Sequence, residues 1–407
     1  MNQATVNFIL EHADDDVRQL ALRGTKKPEV ELTFALDQIA GRQTARRKLP
    51  SWAATEGIVY PPHLSMEQCS SEQTARYKAQ LCKERCAACG TLVDLTGGFG
   101  VDFSLMAAGF QKAVYVERQE QLCAIARDNF RLLGLSQAEV HCGDSSEYLQ
   151  QMKEAVDVIF LDPARRDSHG SRTYGIGDCT PNVLELRDLL LQRARMVVIK
   201  LSPMLDWRKA VSDLGEDVVS EVHIVSVGNE CKELLVVMAP YAGACRLVCV
   251  NDESRFEVSL SLHHGEGMHD DDLSAREKPV TTIPQAGQYL YEPNASVMKA
   301  GCFEALSQCF GVSQIAQNSH LFIADEKIAS FPGRSFVIDG VTSMNKRELK
   351  EQLKGLKQAN ITVRNFPLSV AELRKRLKLS EGGSMYLFAT TLAAGDRVLL
   401  VSRKSTI

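Results

Sequence analysis

The chain has 407 residues, 44% of them apolar, and a formal net charge of −4. This length is too great for one ordinary hydrophobic core and predicts roughly two to four domains. No run of about 18 apolar residues occurs and no basic leader precedes an apolar core, so neither a membrane-spanning helix nor an export signal is expected. The twelve scattered cysteines indicate free thiols. The composition therefore predicts a cytoplasmic globular protein.

The net charge is unevenly distributed. Residues 341–407 contain 13 Lys and Arg against 5 Asp and Glu, a net charge of +8, which leaves −12 for the rest of the chain. A positive charge confined to one module is typical of nucleic-acid binding, although a solvated helix surface is the alternative. Arg374, Arg376 and Lys378 are the candidate phosphate contacts.

In chain order, residues 1–65 predict a helical cap, and Ser70 with Gln73 predicts a capping box at the start of the next helix. Strand and helix patterns then alternate from residue 91 to a helix that begins at Met204. This alternation predicts a doubly wound parallel sheet, the Rossmann-like form of the α/β class. The last two strands, EVHIVSVGN and ELLVVMAP, are joined by too few residues for a crossover helix, so they must form an antiparallel hairpin.

The first strand ends in a glycine-rich turn. The strand TLVDLT delivers Asp94, and the turn then contains Thr96, Gly97, Gly98 and Gly100. No Gly-Lys-Ser/Thr follows, and Phe103 stands where a dinucleotide fingerprint needs a small residue. These two features disfavour a P-loop and an NAD-dependent oxidoreductase. An acid on the strand suits a ligand with a cationic amino group, so the predicted cofactor is S-adenosylmethionine.

Acidic residues also end the next two strands. Glu117 lies where a carboxylate can accept from two ribose hydroxyls, and Asp144, with Ser145, could accept from an adenine amine. A single acid at such a position is more often a helix N-cap. Three acids in consecutive βα units, together with the glycine turn, favour cofactor binding.

The fourth and fifth strands end in LDPARR and VIKLSP. Pro163 stiffens the turn after Asp162, whose carboxylate could accept from an exocyclic amine, and Arg165 with Arg166 could hold a phosphate. Lys200 lies at the same edge of the sheet. The predicted catalytic residues are Asp162, Pro163, Arg165 and Lys200.

Lys78, Asp162, Lys200 and Glu233 are in addition similar in order and placement to the Lys-Asp-Lys-Glu tetrad of ribose 2′-O-methyltransferases. In those enzymes a lysine with a lowered pKa activates the hydroxyl. A ribose target is therefore an alternative to a base amine.

The motifs EQCSSEQTARYK, DLTGGFGVD, VER, GDS, LDPARR and VIKLSP together resemble class I methyltransferases with a C-terminal THUMP-like domain. The resemblance extends through YLYEPNASVMKAG and FPGR into the tail. It implies an RNA substrate, tRNA or rRNA, and S-adenosylmethionine binding at Asp94, Gly97, Gly98, Gly100, Glu117 and Asp144. The glycine turn also looks like that of a guanine-amine methyltransferase, but Ala164 and Arg165 replace the usual proline and aromatic residue.

The predicted organisation is a helical cap (1–65), a class I methyltransferase domain (66–240), a ferredoxin-like α+β domain (241–340) and a basic THUMP-like domain (341–407). The predicted function is S-adenosylmethionine-dependent methylation of RNA, with an exocyclic amine such as that of guanine as the favoured target. A non-catalytic RNA-binding protein on a degenerate methyltransferase fold is the other alternative. No metal and no membrane partner are expected.

Overall fold

The computed structural model describes residues 2–165, 175–240, 243–260 and 283–405. The chain divides into two compact units, Met1–Val222 with Glu233–Gly243, and His223–Lys232 with Ala244–Ile407. Within the described ranges, no helix combines the length and the apolar character needed to cross a membrane. The twelve cysteines are free thiols, as predicted.

The first unit begins with short helices. Their bounds are Gln3–Glu11 (α1), Val17–Arg23 (α2), Leu32–Lys48 (α3), Pro50–Ala54 (α4), His63–Gln68 (α5) and Glu72–Arg85 (α6). Trp52 and Tyr60 belong to an apolar cluster of these helices, and the Phe99 ring lies against both, with centroids 4.8 and 6.5 Å away. Since Phe99 belongs to the glycine turn, the predicted helical cap packs directly on that turn.

Helix α6 is capped one residue later than predicted. The hydroxyl of Ser71 accepts from the backbone N–H of Thr74 at 3.2 Å, so the predicted box of Ser70 and Gln73 is wrong. A Ser-Ser pair offers two caps, and the local pattern does not distinguish them. Because Ser71 is the cap, the hydroxyl of Ser70 is available for another contact and donates to Asp102 Oδ2.

Strands and helices then alternate. Their bounds are Thr91–Asp94 (β1), Val101–Ala107 (α7), Lys112–Glu117 (β2), Glu120–Leu132 (α8), Ala138–Cys142 (β3), Ser145–Gln151 (α9), Val156–Leu161 (β4), Ala164–Arg165 (β5), Cys179–Thr180 (β6), Val183–Arg193 (α10), Ala194–Leu201 (β7), Trp207–Leu214 (α11), Val219–Val227 (β8) and Glu230–Met238 (β9), with a 3₁₀ turn at Ile176–Asp178. The short strands β5 and β6 pair with each other. The sheet contains the order β3-β2-β1-β4-β7-β9 with β8 beside β9.

Strands β3, β2, β1, β4 and β7 are parallel, whereas β9 runs antiparallel to β7. Only Gly228 and Asn229 link β8 to β9, so the predicted terminal hairpin is confirmed. In a parallel sheet the carboxyl ends of the strands open on one edge, where ligands bind. The residues that end β1, β2, β4 and β7 therefore meet at that edge.

The second unit contains a two-stranded hairpin and a separate sheet of seven strands. Its elements are Cys245–Asn251 (β10), Ser254–Leu260 (β11), Tyr289–Pro293 (β12), Ala295–Ala300 (α12), Phe303–Phe310 (α13), Ser313–Gln314 (β13), Phe322–Ala324 (β14), Gly333–Ser343 (β15), Lys346–Gln352 (α14), Asn360–Arg364 (β16), Val370–Leu377 (α15), Met385–Thr391 (β17) and Arg397–Lys404 (β18). Strands β10 and β11 form a hairpin. The other seven strands form the separate sheet, in the order β13-β14-β12-β15-β18-β17-β16. The boundary predicted at residue 340 falls inside β15, and the four domain ranges stay a prediction.

Glu292 joins distant strands of this sheet. Its side chain is 4% exposed and accepts from Arg334 on β15 through one oxygen and from Arg364 on β16 through the other, the latter at 2.8 Å. Each arginine directs both its Nε and its Nη2 at a single oxygen of Glu292, so the two guanidinium groups share the carboxylate. One buried carboxylate thus compensates two cations.

Replacing Glu292 by Ala is expected to lower the free energy of unfolding by about 2 kcal/mol, measured by chemical denaturation. Removing one partner of a buried ion pair leaves uncompensated charge, and the partial exposure of both arginines reduces that cost. The control is Asp339→Ala, which breaks the exposed pair with Arg403 and should cost less than about 1 kcal/mol. Equal effects of the two variants would contradict the role assigned to Glu292.

Candidate active site

The glycine turn holds its glycines for steric reasons. A Cβ on Gly97 would lie 2.1 Å from the Tyr115 ring, and one on Gly100 would lie 2.8 Å from Phe130, at a φ of +88°. Gly98 has a φ of +55°, and a Cβ there would meet no atom closer than 3.8 Å. The turn is therefore packed on the sheet side at Gly97 and Gly100 and open at Gly98.

Asp94 and Thr96 fix the start of this turn. Asp94 is buried at the end of β1, and its Oδ1 accepts from the backbone N–H of Thr96 at 2.9 Å. Burial raises the pKa of Asp94 well above its ordinary value, and the negative charges of Asp102, Asp162 and Glu117 add to the effect. A carboxylate in such surroundings is stabilised by a cationic ligand.

Glu117 ties β2 to the turn. Its Oε2 accepts from the backbone N–H of Gly98 at 3.0 Å, and its Oε1 accepts from that of Gln119 at 2.8 Å. Asp144 lies beyond β3 and caps α9, because its Oδ1 accepts from the N–H groups of Ser146 and Glu147. Ser145 is the first residue of that helix. Asp144 is thus the helix N-cap that the alternative interpretation expected, whereas Glu117 caps no helix, since the N-cap of α8 is Gln119 and makes no side-chain cap bond. The assignment of Glu117, Asp144 and Ser145 to a cofactor stays a prediction.

Asp162 and Lys200 meet where β4 and β7 end. Lys200 Nζ lies 2.5 Å from Asp162 Oδ2, and the backbone N–H of Asp162 donates to Thr96 Oγ1, also at 2.5 Å. The side chain of Asp162 is 41% exposed and that of Lys200 is 13% exposed. Oδ1 of Asp162 makes no hydrogen bond to any described residue. Pro163 is buried directly after it.

Lys78 and Glu233 form the second ion pair of the predicted tetrad. Lys78 Nζ lies 2.6 and 2.7 Å from the two carboxylate oxygens of Glu233, although the residues are 155 positions apart. The side chain of Lys78 is 0% exposed and that of Glu233 is 3% exposed. The sheet thus brings all four tetrad residues together, but only Asp162 and Lys200 reach the surface.

Asp102 connects the two pairs and was not identified in the sequence. Its Oδ1 lies 3.1 Å from Lys78 Nζ, and its Oδ2 lies 3.6 Å from Lys200 Nζ and accepts from the hydroxyl of Ser70 at 2.7 Å. An acid in the first turn of a helix is ordinarily explained by the helix dipole. The available signal was the acid's position inside the motif DLTGGFGVD.

The carboxylates hold Lys200 in its charged form. Burial by itself lowers the pKa of Lys200, but the negative charges of Asp162, Asp102 and Glu233 outweigh it, so the pKa is raised. Burial likewise raises the pKa of Asp102, but Lys78 and Lys200 outweigh it and the pKa is lowered. The lowered lysine pKa that the tetrad hypothesis requires is therefore absent for Lys200.

The predicted phosphate contacts after β4 are only partly described. Arg165 lies on β5, where it pairs with Cys179 of β6, but its side chain and the whole of Arg166 lie outside the described residues. In the basic tail, Arg376 and Lys378 are exposed, whereas Arg374 is half-buried and donates to the carbonyl of Ala359 at 3.3 Å. Arg374 therefore contributes to packing, and Lys375 is the further exposed cation of α15.

Family models match the C-terminal part of the chain. A ferredoxin-like domain model matches residues 289–332, and a THUMP domain-like model matches residues 333–404. Over nearly its whole length the chain is 31% identical to a candidate methyltransferase from Porphyromonas gingivalis W83, and the match covers 99% of this chain and 98% of that one. The TM-score of the two structures is 0.83. The chain therefore belongs to the same family as that protein, the class I methyltransferases with a C-terminal THUMP-like domain. The predicted class I methyltransferase fold with ferredoxin-like and THUMP-like segments is thereby confirmed.

Two curated relatives match a shorter stretch of the present chain. An uncharacterized RNA methyltransferase of Clostridium tetani is 33% identical over 79 residues, and one of Caldanaerobacter subterraneus subsp. tengcongensis is 35% identical over 75 residues. These matches cover 19% and 18% of this chain. They span only 17% of the length of either relative, so the RNA in their names describes those proteins.

Proposed function

We propose that this chain is an S-adenosylmethionine-dependent methyltransferase that acts on RNA, with an exocyclic base amine as its favoured target. The observation that carries the proposal is the arrangement of Asp162. Lys200 fixes one carboxylate oxygen, and the other has no hydrogen-bond partner among the described residues, in a side chain that is 41% exposed at the carboxyl edge of the sheet. Such an oxygen can accept the N–H of an amine and orient its nitrogen.

The residues at the glycine turn fit S-adenosylmethionine. Negative charge is concentrated around Asp94, whose carboxylate neighbours are Asp102, Asp162 and Glu117. Such surroundings suit a ligand that carries an ammonium and a sulfonium group. Gly98 leaves the open space that a close backbone approach requires. Bound there, this substrate would supply a methyl group on a cationic sulfur. Asp94 and Glu117 would hold it, and Asp162 would position the acceptor.

The electrostatics favour an amine over a ribose hydroxyl. A hydroxyl needs a strong base, whereas Lys200 is kept protonated by its carboxylates and Lys78 is fully buried against Glu233. An amine that has accepted a methyl group is a strong acid, so a carboxylate is basic enough to take its proton. The ribose alternative remains a second candidate because its four residues do lie together.

Nucleoside mass spectrometry tests the proposal. RNA from a strain that lacks the gene should lose one methylated base, and the purified protein with S-adenosylmethionine should restore that base in the same RNA. Loss of a 2′-O-methylated nucleoside instead would favour the ribose alternative. No methyl transfer to any RNA would favour the non-catalytic RNA-binding alternative.

RNA binding by the tail predicts a salt-dependent affinity. Charge reversal at Lys375, Arg376 and Lys378 should weaken RNA binding and reduce the slope of log affinity against log salt by about 0.7 for each lost phosphate contact. The measurement is fluorescence anisotropy at several salt concentrations. The matched control reverses three exposed cations of the first unit, Arg18, Lys26 and Lys27. If both triple variants reduce the slope equally, the tail is not the specific contact.

A further inference from the structure

Asp102 lies between the two ion pairs of the candidate active site. Two cations, Lys78 and Lys200, are surrounded by three carboxylates, those of Asp102, Asp162 and Glu233. Lys78 already has both oxygens of Glu233. Lys200 has its short contact to Asp162 and a longer one of 3.6 Å to Asp102, so Asp102 is its second counter-ion.

The proposed reaction changes the charge of only one of these carboxylates. The amine nitrogen forms a bond to the methyl carbon while the carbon–sulfur bond breaks, and the electron pair of that bond stays on sulfur. The N–H proton passes to Oδ1 of Asp162, which becomes neutral. At that moment Lys200 loses the charge of its closest partner. A buried ammonium without a counter-charge tends to lose its proton or to move toward water.

We propose that Asp102 is a positioning residue that keeps Lys200 charged and directed at Asp162 while Asp162 carries the substrate's proton. This inference rests on the proposed function. Asp102 suits the role because it is only 11% exposed and takes no part at the sheet edge itself. The hydroxyl of Ser70 donates to its Oδ2 at 2.7 Å, and its backbone belongs to the first turn of α7, directly after the glycine turn.

The neighbours of Lys200 come from every element around it. Asp162 faces it from the end of β4, Asp102 from α7 and Glu233 from β9, whereas Cys69 lies beyond α5. Lys78 of α6 contributes the other positive charge, on the far side of Asp102. Of the three carboxylates, Glu233 is bound on both oxygens by Lys78. Asp102 is therefore the carboxylate available to Lys200 when Asp162 is neutral.

A substrate-free experiment isolates this role. The variant Asp162→Asn imitates the protonated carboxyl, and the apparent pKa of Lys200 is measured by amine labelling across pH with peptide mass spectrometry. In this variant Lys200 should still titrate near or above the ordinary lysine value. In Asp162→Asn with Asp102→Asn, its pKa should fall by about one unit or more, because no free carboxylate remains nearby. Identical titration of Lys200 in the two proteins would overturn the proposal.

The matched control is an ordinary exposed pair. Lys209 and Asp213 lie four residues apart on α11, with Nζ and Oδ1 3.0 Å apart, and Lys209 is 60% exposed. The titration of Lys209 should be the same in all of these proteins. In Asp213→Asn, the titration of Lys200 should stay unchanged. This result would show that removing an unrelated Lys–Asp pair does not lower the pKa of Lys200.

Kinetics with undermethylated RNA from the gene-deletion strain give the second readout. Asp102→Asn should lower the single-turnover rate constant at saturating S-adenosylmethionine by roughly tenfold or more, with KM for RNA nearly unchanged. At alkaline pH the rate of Asp102→Asn should begin to fall at a lower pH than the rate of the wild-type protein. The reason is that Lys200 loses its proton at a lower pH in the variant. An equal loss at every pH would indicate a merely structural role and contradict the proposal. If the wild-type protein transfers no methyl group, the proposed function fails, and the labelling result still decides the role of Asp102.

Discussion

Replacing Asp162 by Ala is expected to abolish methyl transfer, with a loss of at least about 10²-fold in the single-turnover rate. The substitution removes the exposed oxygen that would orient the amine and accept its proton, and it also removes the closest partner of Lys200. The measurement is methyl incorporation into undermethylated RNA at saturating S-adenosylmethionine. Affinity for S-adenosylmethionine, measured by calorimetry, should fall less than in Asp94→Ala, because Asp162 adds negative charge near the ligand but is assigned no contact with it.

The matched control removes the buried pair of the tetrad. A single change at Lys78 would leave the carboxylate of Glu233 buried and unpaired, so Lys78→Met is combined with Glu233→Gln. If the target is an amine, this folded double variant should retain much of the activity, and Lys200→Met should slow the reaction without abolishing it. If both are as inactive as Asp162→Ala, the amine interpretation is wrong and the ribose tetrad is right.

The pH dependence separates the two chemistries further. The pKa of Lys200 is raised, so this side chain stays charged at every pH below the ordinary pKa of a lysine. Its titration should therefore not affect the rate between about pH 7 and pH 9. A lysine that acts as a general base must lose its proton first, so the rate would rise with pH through its pKa. A rate that rises tenfold per pH unit in this interval and is lost in Lys200→Met would contradict the amine interpretation.

Asp94→Ala and Glu117→Ala are each expected to weaken S-adenosylmethionine binding by about 1.5–3 kcal/mol, which is roughly 10- to 100-fold in Kd. Asp94 would lose its contact with the cationic amino group, and Glu117 would lose the ribose contact together with its hold on Gly98. Isothermal titration calorimetry measures both effects, and NAD should not bind to any of these proteins.

Two variants serve as comparisons for this prediction. Asp94→Asn removes the charge but keeps an oxygen for the N–H of Thr96, so it distinguishes loss of charge from collapse of the turn. Glu139→Ala removes an exposed carboxylate on β3 that faces Lys112, and affinity should stay the same. Unchanged affinity in both Asp94→Ala and Glu117→Ala would end the assignment of the cofactor.

The sequence was sufficient for those features that depend on local patterns. Alternating periods specified the parallel sheet, and the few residues around Cys231 between the last two strand patterns required a hairpin because no crossover fits there. The structure places the turn itself at Gly228 and Asn229. The glycine turn was recognisable from its motif after the first strand. The structure adds the physical reason, because a side chain at Gly97 or Gly100 would collide with the next strand or its helix. The sheet edge followed as well, since parallel strands end on the same side.

The exact cap of α6 was not predictable. Ser70 and Ser71 are adjacent and equally able to cap a helix, and only the position of Asp102 decides which hydroxyl is needed elsewhere. Arg374 was equally ambiguous, because its spacing in the basic tail is that of an exposed cation, whereas the carbonyl of Ala359 holds it partly buried.

The sequence by itself thus determined the methyltransferase architecture and, apart from Asp102, the carboxylates and lysines that could line its site. Only the tertiary structure decided how these charges pair: Lys78 with Glu233, Lys200 with Asp162, and Asp102 with both lysines. The physical reason is that element patterns are local, whereas the partner and burial of a charged side chain depend on the register of strands far apart in the chain. Those partners and that burial in turn fix the pKa of Lys200, and with it the chemistry available to the site.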